Sequence, residues 1–346
     1  VQHLAYRELE SAVRQHKAKA GAVVILDARS GEVLALANYP AYNPNNRSKV
    51  SSQAMRNRAI ADLFEPGSTM KPFTVATALE QGKVRPETVI NTEHGVLTVG
   101  NKKIHDSHPE SMLTVAQIIQ KSSNVGAAKI ALSLEPETLR QSLADSGFGA
   151  QTGSNFPGEA PGKLRDAKTW RPIEQATLSY GHGMSVNLLQ LARAYTVFAN
   201  GGELKPVSLL KLDAPGVGKK VFSDGAARAL RDMLELVVQP GGTAPLAQVA
   251  GYRVAGKTGT AHKLEGGHYI NRYVASFVGF APASNPRLIV AVMIDEPDNG
   301  QYYGGLVAAP VFSRVTGAAL HALNVPNDAP LDNVIAPPAD IVKEEV

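Results

Sequence analysis

The 346-residue sequence has no cysteine, a single tryptophan and only 6% aromatic residues. Without thiols there is no disulfide framework and no cysteine nucleophile, and the composition suits an oxidising compartment, where a stray thiol is a liability. No apolar run approaches the length of a membrane span, and no secretory signal opens the chain at Val1-Gln2-His3-Leu4. A net charge of +4 is compatible with an anionic polymer as partner, but no basic stripe interleaved with aromatics is present, which argues against nucleic acid. His105 and His108 have the spacing of a ligand pair but no third ligand at suitable spacing, so neither a metal nor another cofactor is expected. Trp170, followed by Arg171-Pro172, reads as packing.

What is present is a core and three short strings. With 44% hydrophobic residues the chain can bury one large domain. Ala22–Asp27 and Glu32–Ala37 flank Ala28-Arg29-Ser30-Gly31 as a hairpin whose first strand is apolar on both faces, hence central. Val274–Ala281 and Leu288–Asp295 are strands, followed by a helical run from Ala308 to Leu323; another helix runs from Leu4 to Lys19. The expected architecture is α/β (α+β): a mainly antiparallel sheet from both chain ends (about 1–40 and 205–324) plus the motif strand, flanked by helices. An all-helical subdomain is inserted at about 60–200. Residues 325–346, rich in Pro, Asp and Glu, read as a loose tail.

Ser68-Thr69-Met70-Lys71 follows the turn Glu65-Pro66-Gly67 and opens a helix that ends at Gly82. A serine there can simply be an N-cap. Alternatively, the first helical turn holds Ser68 and Lys71 at i, i+3 in hydrogen-bond reach, with Pro72 harmless near the helix start. A second Ser-x-x-Lys, Ser208 to Lys211, lies in an apparent strand, where alternation separates the two side chains. Ser122-Ser123-Asn124 sits at a junction between two helical runs, Val115–Ile119 and Val125–Leu134, while Ser185-Val186-Asn187 reads as a plain cap in which Ser185 opens the run after it. Lys257-Thr258-Gly259-Thr260 lies in or just after a strand beginning near Tyr252. A glycine within a strand marks a bulge or a close backbone approach, here by a peptide added along the strand edge. Lys257 and Thr258 then fix its anionic terminus.

In this order the three strings form the motif set of penicillin-binding proteins and serine β-lactamases. Phe64–Pro72, Gln120–Gly126, Gly256–Ala261, Gly279–Ala283 and Tyr302-Tyr303-Gly304-Gly305 extend the likeness. The chain resembles the transpeptidase domain of a class B penicillin-binding protein, most of all the division-specific member that cross-links septal peptidoglycan. One departure is His182 in Tyr180-Gly181-His182-Gly183, where relatives commonly carry a second aromatic.

The resemblance implies a membrane anchor and pedestal domain preceding this segment in the mature protein, which would stand on the periplasmic face of the bacterial inner membrane. It implies stem peptides ending in D-Ala-D-Ala as substrates, β-lactams as covalent inhibitors, and a membrane glycosyltransferase and other cell-division proteins as partners. Ser68 is then the nucleophile. Lys71 is its base, held partly neutral by burial and by the cation Lys257. Ser122 and Asn124 serve the leaving group and substrate amide. The backbone N–H groups of Ser68 and Thr260 form an oxyanion hole, and Thr258, Gly259, Thr260, Tyr180 and Tyr303 contact substrate. A hydrolase with the same motifs is the main alternative, but neither Glu159 nor Glu174 sits in a recognisable deacylation loop, and the spacing of 135 from Ser122 to Lys257 exceeds what a compact lactamase needs. A non-catalytic β-lactam sensor is the other.

Overall fold

Eight-residue strands without a polar alternation have to be covered on both faces. In the computed structural model, which describes residues 1–46 and 50–336, two such strands lie inside the main sheet. The strands are Ala20–Asp27 (β1), Val33–Tyr39 (β2), Ala255–Glu265 (β3), His268–Ala281 (β4) and Leu288–Asp295 (β5). They pair antiparallel in the order β2-β1-β5-β4-β3, so the two chain ends and the motif strand share one sheet, as the sequence implies. Every residue of β1 and β5 is buried. Helices Gln2–Gln15 (α1) and Ala309–Ala322 (α7) pack together on β1, β2, β4 and β5. Leu188–Ala194 (α5) contacts β1 and β5, and Asp224–Leu236 (α6) contacts β3. Helix α1 stops at Gln15, short of the expected Lys19, because Lys17 turns the chain with φ +48°.

Between β2 and β3 lie the helices that carry two of the motifs: Lys71–Glu80 (α2), Val115–Lys121 (α3) and Asn124–Leu132 (α4). This insertion is not all-helical. Val89–Asn91 pairs with Met112–Thr114, and Val96–Val99 pairs with Lys102–His105. The second ribbon follows from period-two alternation around Gly100-Asn101, which turns the chain. Its opposed pair Leu97 and Ile104 buries against Val125, Ala128, Ala176 and Tyr180.

The expected loose tail begins later than residue 325. Asn333 Oδ1 accepts from Gly251 N–H (2.9 Å), and its Nδ2 donates to the Tyr252 carbonyl (3.0 Å). Asp328 accepts from Arg253 N–H (2.8 Å) and Ser284 Oγ (2.6 Å). Composition alone misses this, because the same Asn and Asp that suggest a solvated tail are used to satisfy backbone groups before β3. Residues 337–346 of that tail lie outside the described residues.

Candidate active site

Ser68 sits in a 3-10 turn, Gly67–Met70, that runs directly into α2 with Pro72 in its first turn. The turn is clamped from several sides. Tyr195 Oη donates to the Thr69 carbonyl (2.8 Å), and Thr69 Oγ1 donates to the Pro66 carbonyl (2.8 Å). Gly181, at φ +87°, lies so close that a Cβ there would stand 2.3 Å from the Gly67 carbonyl oxygen. The segment Tyr180–Gly183 is thereby pressed onto the turn that carries Ser68.

The three strings converge on one hydroxyl. Lys71 Nζ donates to Ser68 Oγ at 2.8 Å, to Ser122 Oγ at 2.9 Å and to the Ser122 carbonyl at 2.5 Å. Lys257 Nζ donates to the same Ser122 Oγ at 2.9 Å and to Thr258 Oγ1 at 3.2 Å. Thr258 Oγ1 lies 2.7 Å from Thr243 Oγ1. Lys71, Lys257 and Thr258 are fully buried, and Ser68 and Ser122 are 4% exposed. Two lysines thus flank one serine in a continuous relay from Ser68 to Thr243, a residue that the motif strings do not include.

Ser122 caps the end of α3 with left-handed backbone (φ 63°, ψ 40°), a conformation uncommon for a non-glycine residue. Asp106 holds it there indirectly. Its carboxylate accepts from Asn124 N–H (2.6 Å), Val125 N–H (3.0 Å) and Ser123 Oγ (2.6 Å), while Ser123 Oγ accepts from Gly126 N–H as N-cap of α4. Asn124 opens α4, and its Nδ2 donates to the His105 carbonyl (3.3 Å). Asp106 follows the Lys102–His105 strand, so the unanticipated ribbon is what delivers the carboxylate. One buried anion against a helix start is favourable both as a cap and against the helix dipole.

Lys257, Thr258, Gly259 and Thr260 lie on β3, the edge strand. The close approach at Gly259 comes from within the chain: a Cβ there would meet Ser276 Oγ at 2.6 Å and the Pro66 carbonyl at 2.7 Å. Gly259 therefore lets the Ser68 turn seat on the strand, which corrects the expectation that a bound peptide requires it. A Cβ at Gly67 would stand 3.1 Å from the Thr260 carbonyl oxygen and 3.5 Å from its nitrogen. Residue 260 thus turns its amide to the free edge, beside Ser68. Gly304 N–H donates to Thr260 Oγ1 (3.0 Å), which brings Tyr303, the cap of the turn Gly304–Val307, close to the strand.

Aromatic rings border this edge. His182 stands edge-on to Tyr180 (5.1 Å between centroids) and tilted to Tyr269 (5.9 Å). His262 lies 4.6 Å from Tyr273, which stacks on Tyr302 at 4.0 Å, and Tyr302 tilts against Tyr303 at 4.5 Å. Tyr180 is buried beneath His182. The substitution by histidine leaves a wall in place, completed by Tyr269 from the β3–β4 hairpin. Burial, then the charges of Lys71 and His262, pushes the His182 imidazole down to about 4, so it is neutral at pH 7. Glu65 accepts from Gly183 N–H (2.8 Å) and Tyr269 Oη (3.0 Å), and burial raises its carboxyl above the ordinary range.

The decoys resolve differently from their readings. Ser208 is not in a strand: it makes a single bridge to Glu32, and its Oγ donates to the Leu210 carbonyl (2.7 Å). Ser185 is not the cap: Asn187 is, accepting from Gln190 N–H, while Ser185 bridges to Lys163. Among the described residues no group of three His, Cys, Asp or Glu is placed to hold a metal.

Residues 21–317 match the family described as "Penicillin binding protein transpeptidase domain". The chain is 49% identical over 334 residues to a Neisseria flavescens protein named "Probable peptidoglycan D,D-transpeptidase PenA", covering 96% of this chain and 83% of that one. It is 44% identical over 330 residues to "Peptidoglycan D,D-transpeptidase FtsI" of Escherichia coli K12, covering 95% of this chain but 56% of the relative, so it spans little more than half of that protein. The apo transpeptidase domain of Burkholderia pseudomallei penicillin-binding protein 3 superposes with TM-score 0.88 at 48% identity, covering 95% of this chain and 96% of the other.

Proposed function

Since the chain belongs to the penicillin-binding protein transpeptidase domain family, we propose that it is a serine D,D-transpeptidase that cross-links peptidoglycan stem peptides through an acyl-Ser68 intermediate. The observation that carries this reading is the buried relay Ser68–Lys71–Ser122–Lys257–Thr258. A serine hydroxyl needs a base in hydrogen-bond reach, and Lys71 is in place. Its full burial and the second lysine across Ser122 both disfavour the ammonium, so in the reactive form the neutral amine accepts from Ser68 Oγ, where the resting ammonium donates, and takes that proton.

Ser68 attacks the carbonyl of the penultimate D-alanine. The N–H groups of Ser68 and Thr260 receive the developing oxyanion, an arrangement in which losing one donor costs roughly 10²–10³ in rate. Ser122 passes the proton to the departing D-alanine, and Lys257 with Thr258 holds the terminal carboxylate. Asn124, with Tyr180 and Tyr303 bordering the edge, positions the peptide. The amine of a second stem peptide then attacks the acyl-enzyme. β-Lactams acylate the same serine because their carboxylate sits where the D-alanine terminus would.

The septal role rests on likeness to the division-specific relatives, as do periplasmic placement and partnership with a membrane glycosyltransferase and division proteins. Hydrolysis is disfavoured by where the candidate glutamates go. Glu159 accepts from Thr152 N–H, Thr152 Oγ1 and Ser154 Oγ, and Glu174 is held by Arg165 and Arg171. The test is intact-protein mass spectrometry with a penicillin over hours. A stable adduct on Ser68, absent from Ser68→Ala, is expected. An adduct that vanishes within minutes with the drug hydrolysed would mean a lactamase.

A further inference from the structure

Helix α1 buries Ala5, Leu9, Ala12 and Val13, and the same spacing sets His16 next on that stripe, where the helix stops. His16 is 4% exposed. An imidazole in such a place can be plain filler. This one is engaged by the loop that leaves β5. Asp298 N–H donates to the His16 carbonyl (2.9 Å), and Asn299 Nδ2 stands 3.1 Å from His16 Nδ1.

The Asn299 amide fixes which ring nitrogen carries the proton. Its Oδ1 accepts from Gln301 N–H (3.2 Å), and its Nδ2 donates to the Gln15 carbonyl (3.4 Å). Turning the amide over would set oxygen against oxygen and N–H against N–H. The group facing the ring is therefore the NH2, which has only hydrogens to offer. So Nδ1 accepts, and the proton is on Nε2. Burial first, and then the charge of Arg314 on α7, holds the imidazole below its ordinary value of 6.5. Arg314 is itself paired with Glu8 of α1 (2.7 Å), while Lys17 follows His16 in the chain and Asp298 lies beside it in the loop.

The loop ends in the rim. Glu296 N–H donates to the Tyr273 carbonyl (2.9 Å), and at the far end Tyr302 stacks on Tyr273 and meets Tyr303. Between those points, among the described residues, the hydrogen bonds that residues 297–301 make outside the loop go to Gln15 and His16. We infer that His16 is a positioning residue for the rim: its Nδ1 holds Asn299, this hold sets where Tyr302 and Tyr303 stand, and protonation of the ring releases it. A protonated Nδ1 is a donor facing two more donor hydrogens, so the contact turns repulsive. Because folding keeps the ring neutral, the hold is intact at pH 7 and is lost at a pH below 6.5. That the rim receives a ligand's side chain rests on the transpeptidase reading above.

Long-range proton–nitrogen NMR of the nitrogen-labelled protein tests the tautomer, with the His16 ring assigned by its absence from His16→Asn. The Nε2–H form is expected at pH 7.5, and an Nδ1–H form would overturn the inference whatever the activity. Acylation of Ser68 is then timed by mass spectrometry from pH 7.5 to 5 with two penicillins, one carrying a phenylacetamido and one a formamido side chain. In the parent the ratio of their rates should fall about threefold over that range, the scale of one lost hydrogen bond. The ratio cancels any common change at Lys71 and any loss of folded protein. Asparagine sets an acceptor oxygen where Nδ1 stands and does not titrate, so His16→Asn should keep the pH 7.5 ratio throughout. His16→Leu, with no acceptor, should show the low ratio at every pH, and the parent's ratio there would make His16 filler and overturn the inference. A parent ratio that ignores pH, or a fall that persists in His16→Asn and so arises at Glu65 or His182, would also overturn it and leave the transpeptidase reading standing. Failure of both penicillins to label Ser68 would overturn both.

Discussion

The relay and the aromatic rim border the same strand edge, yet they are built on different physics. In the relay, five side chains almost without solvent contact are linked by bonds of 2.8–3.2 Å, and each has its neighbours fixed by a turn, a helix start or a strand. At the rim, His182, Tyr269, His262, Tyr273 and Tyr302 meet in sequence through ring faces and edges 4.0–6.3 Å apart, and Tyr269 is exposed on the β3–β4 hairpin. The contrast teaches where precision is needed. Proton transfer tolerates no slack in donor–acceptor geometry, whereas a wall that receives varied side chains can be assembled from adaptable ring contacts. Substitutions in the relay should therefore act on acylation out of proportion to stability, and substitutions at the rim should be mild.

The largest effect is expected at Lys71. Lys71→Met keeps the volume and removes the proposed base, and the acylation rate by a penicillin should fall by roughly 10²–10⁴ with the melting temperature little changed. A drop of less than tenfold would mean that the proton leaves Ser68 by another route. Next comes Asp106, which braces the relay from the start of α4. Asp106→Ala strands two backbone N–H groups and one hydroxyl beside Ser122, and charge-assisted bonds of this type contribute about 1.5–3 kcal/mol each. Both acylation and Tm should fall, the first by at least about tenfold. Unchanged acylation at reduced Tm would make Asp106 a helix cap and nothing more. Gly181→Ala ranks third: with φ +87° and no room for a Cβ against Gly67, it should destabilise by more than about 1 kcal/mol, and a variant as stable as the parent would show that the Ser68 turn is not clamped there.

How far the sequence discloses these regions follows the same division. The relay is legible because its parts recur as short strings with fixed local geometry: an i, i+3 pair at a helix start, a helix junction, a strand with glycine. The sheet is legible because β1 and β5 are too apolar to lie anywhere but inside. Asp106 is not, since a lone aspartate 16 residues before Ser122 carries no local pattern and reaches α4 only through the fold. The Val96–His105 ribbon could have been read from its alternation around Gly100-Asn101, but its strands are shorter than the helices beside it and dominated neither composition nor length. Gly259 misled in an instructive way. A glycine in a strand does signal close approach, but the sequence cannot say that the approaching group is the Pro66 carbonyl of the same chain rather than a ligand.

The smallest effect concerns the rim alone and depends on sign. Folding holds the His182 imidazole at about 4, below its ordinary value of 6.5, because burial and the charge on Lys71 disfavour the imidazolium. The unfolded chain takes up this proton as pH falls through about 6.5, whereas the folded chain resists until near 4. The contribution of His182 is therefore fully present above pH 6.5 and is lost between 6.5 and about 4. Glu65 runs the other way, since its raised carboxyl favours the protonated form in the folded state and so penalises folding as pH rises past the ordinary carboxylate range. Replacing the ring by one that does not titrate separates the two. His182→Phe should retain more of its pH 7 melting temperature at pH 4.5 than the parent does, by a few degrees at most because the rim is partly open to solvent. The same variant should acylate within about twofold of the parent at pH 7, where the histidine is already neutral. Parallel Tm curves for the two proteins would mean that His182 keeps its ordinary titration and that the rim is wetter than the relay by more than the ring packing indicates.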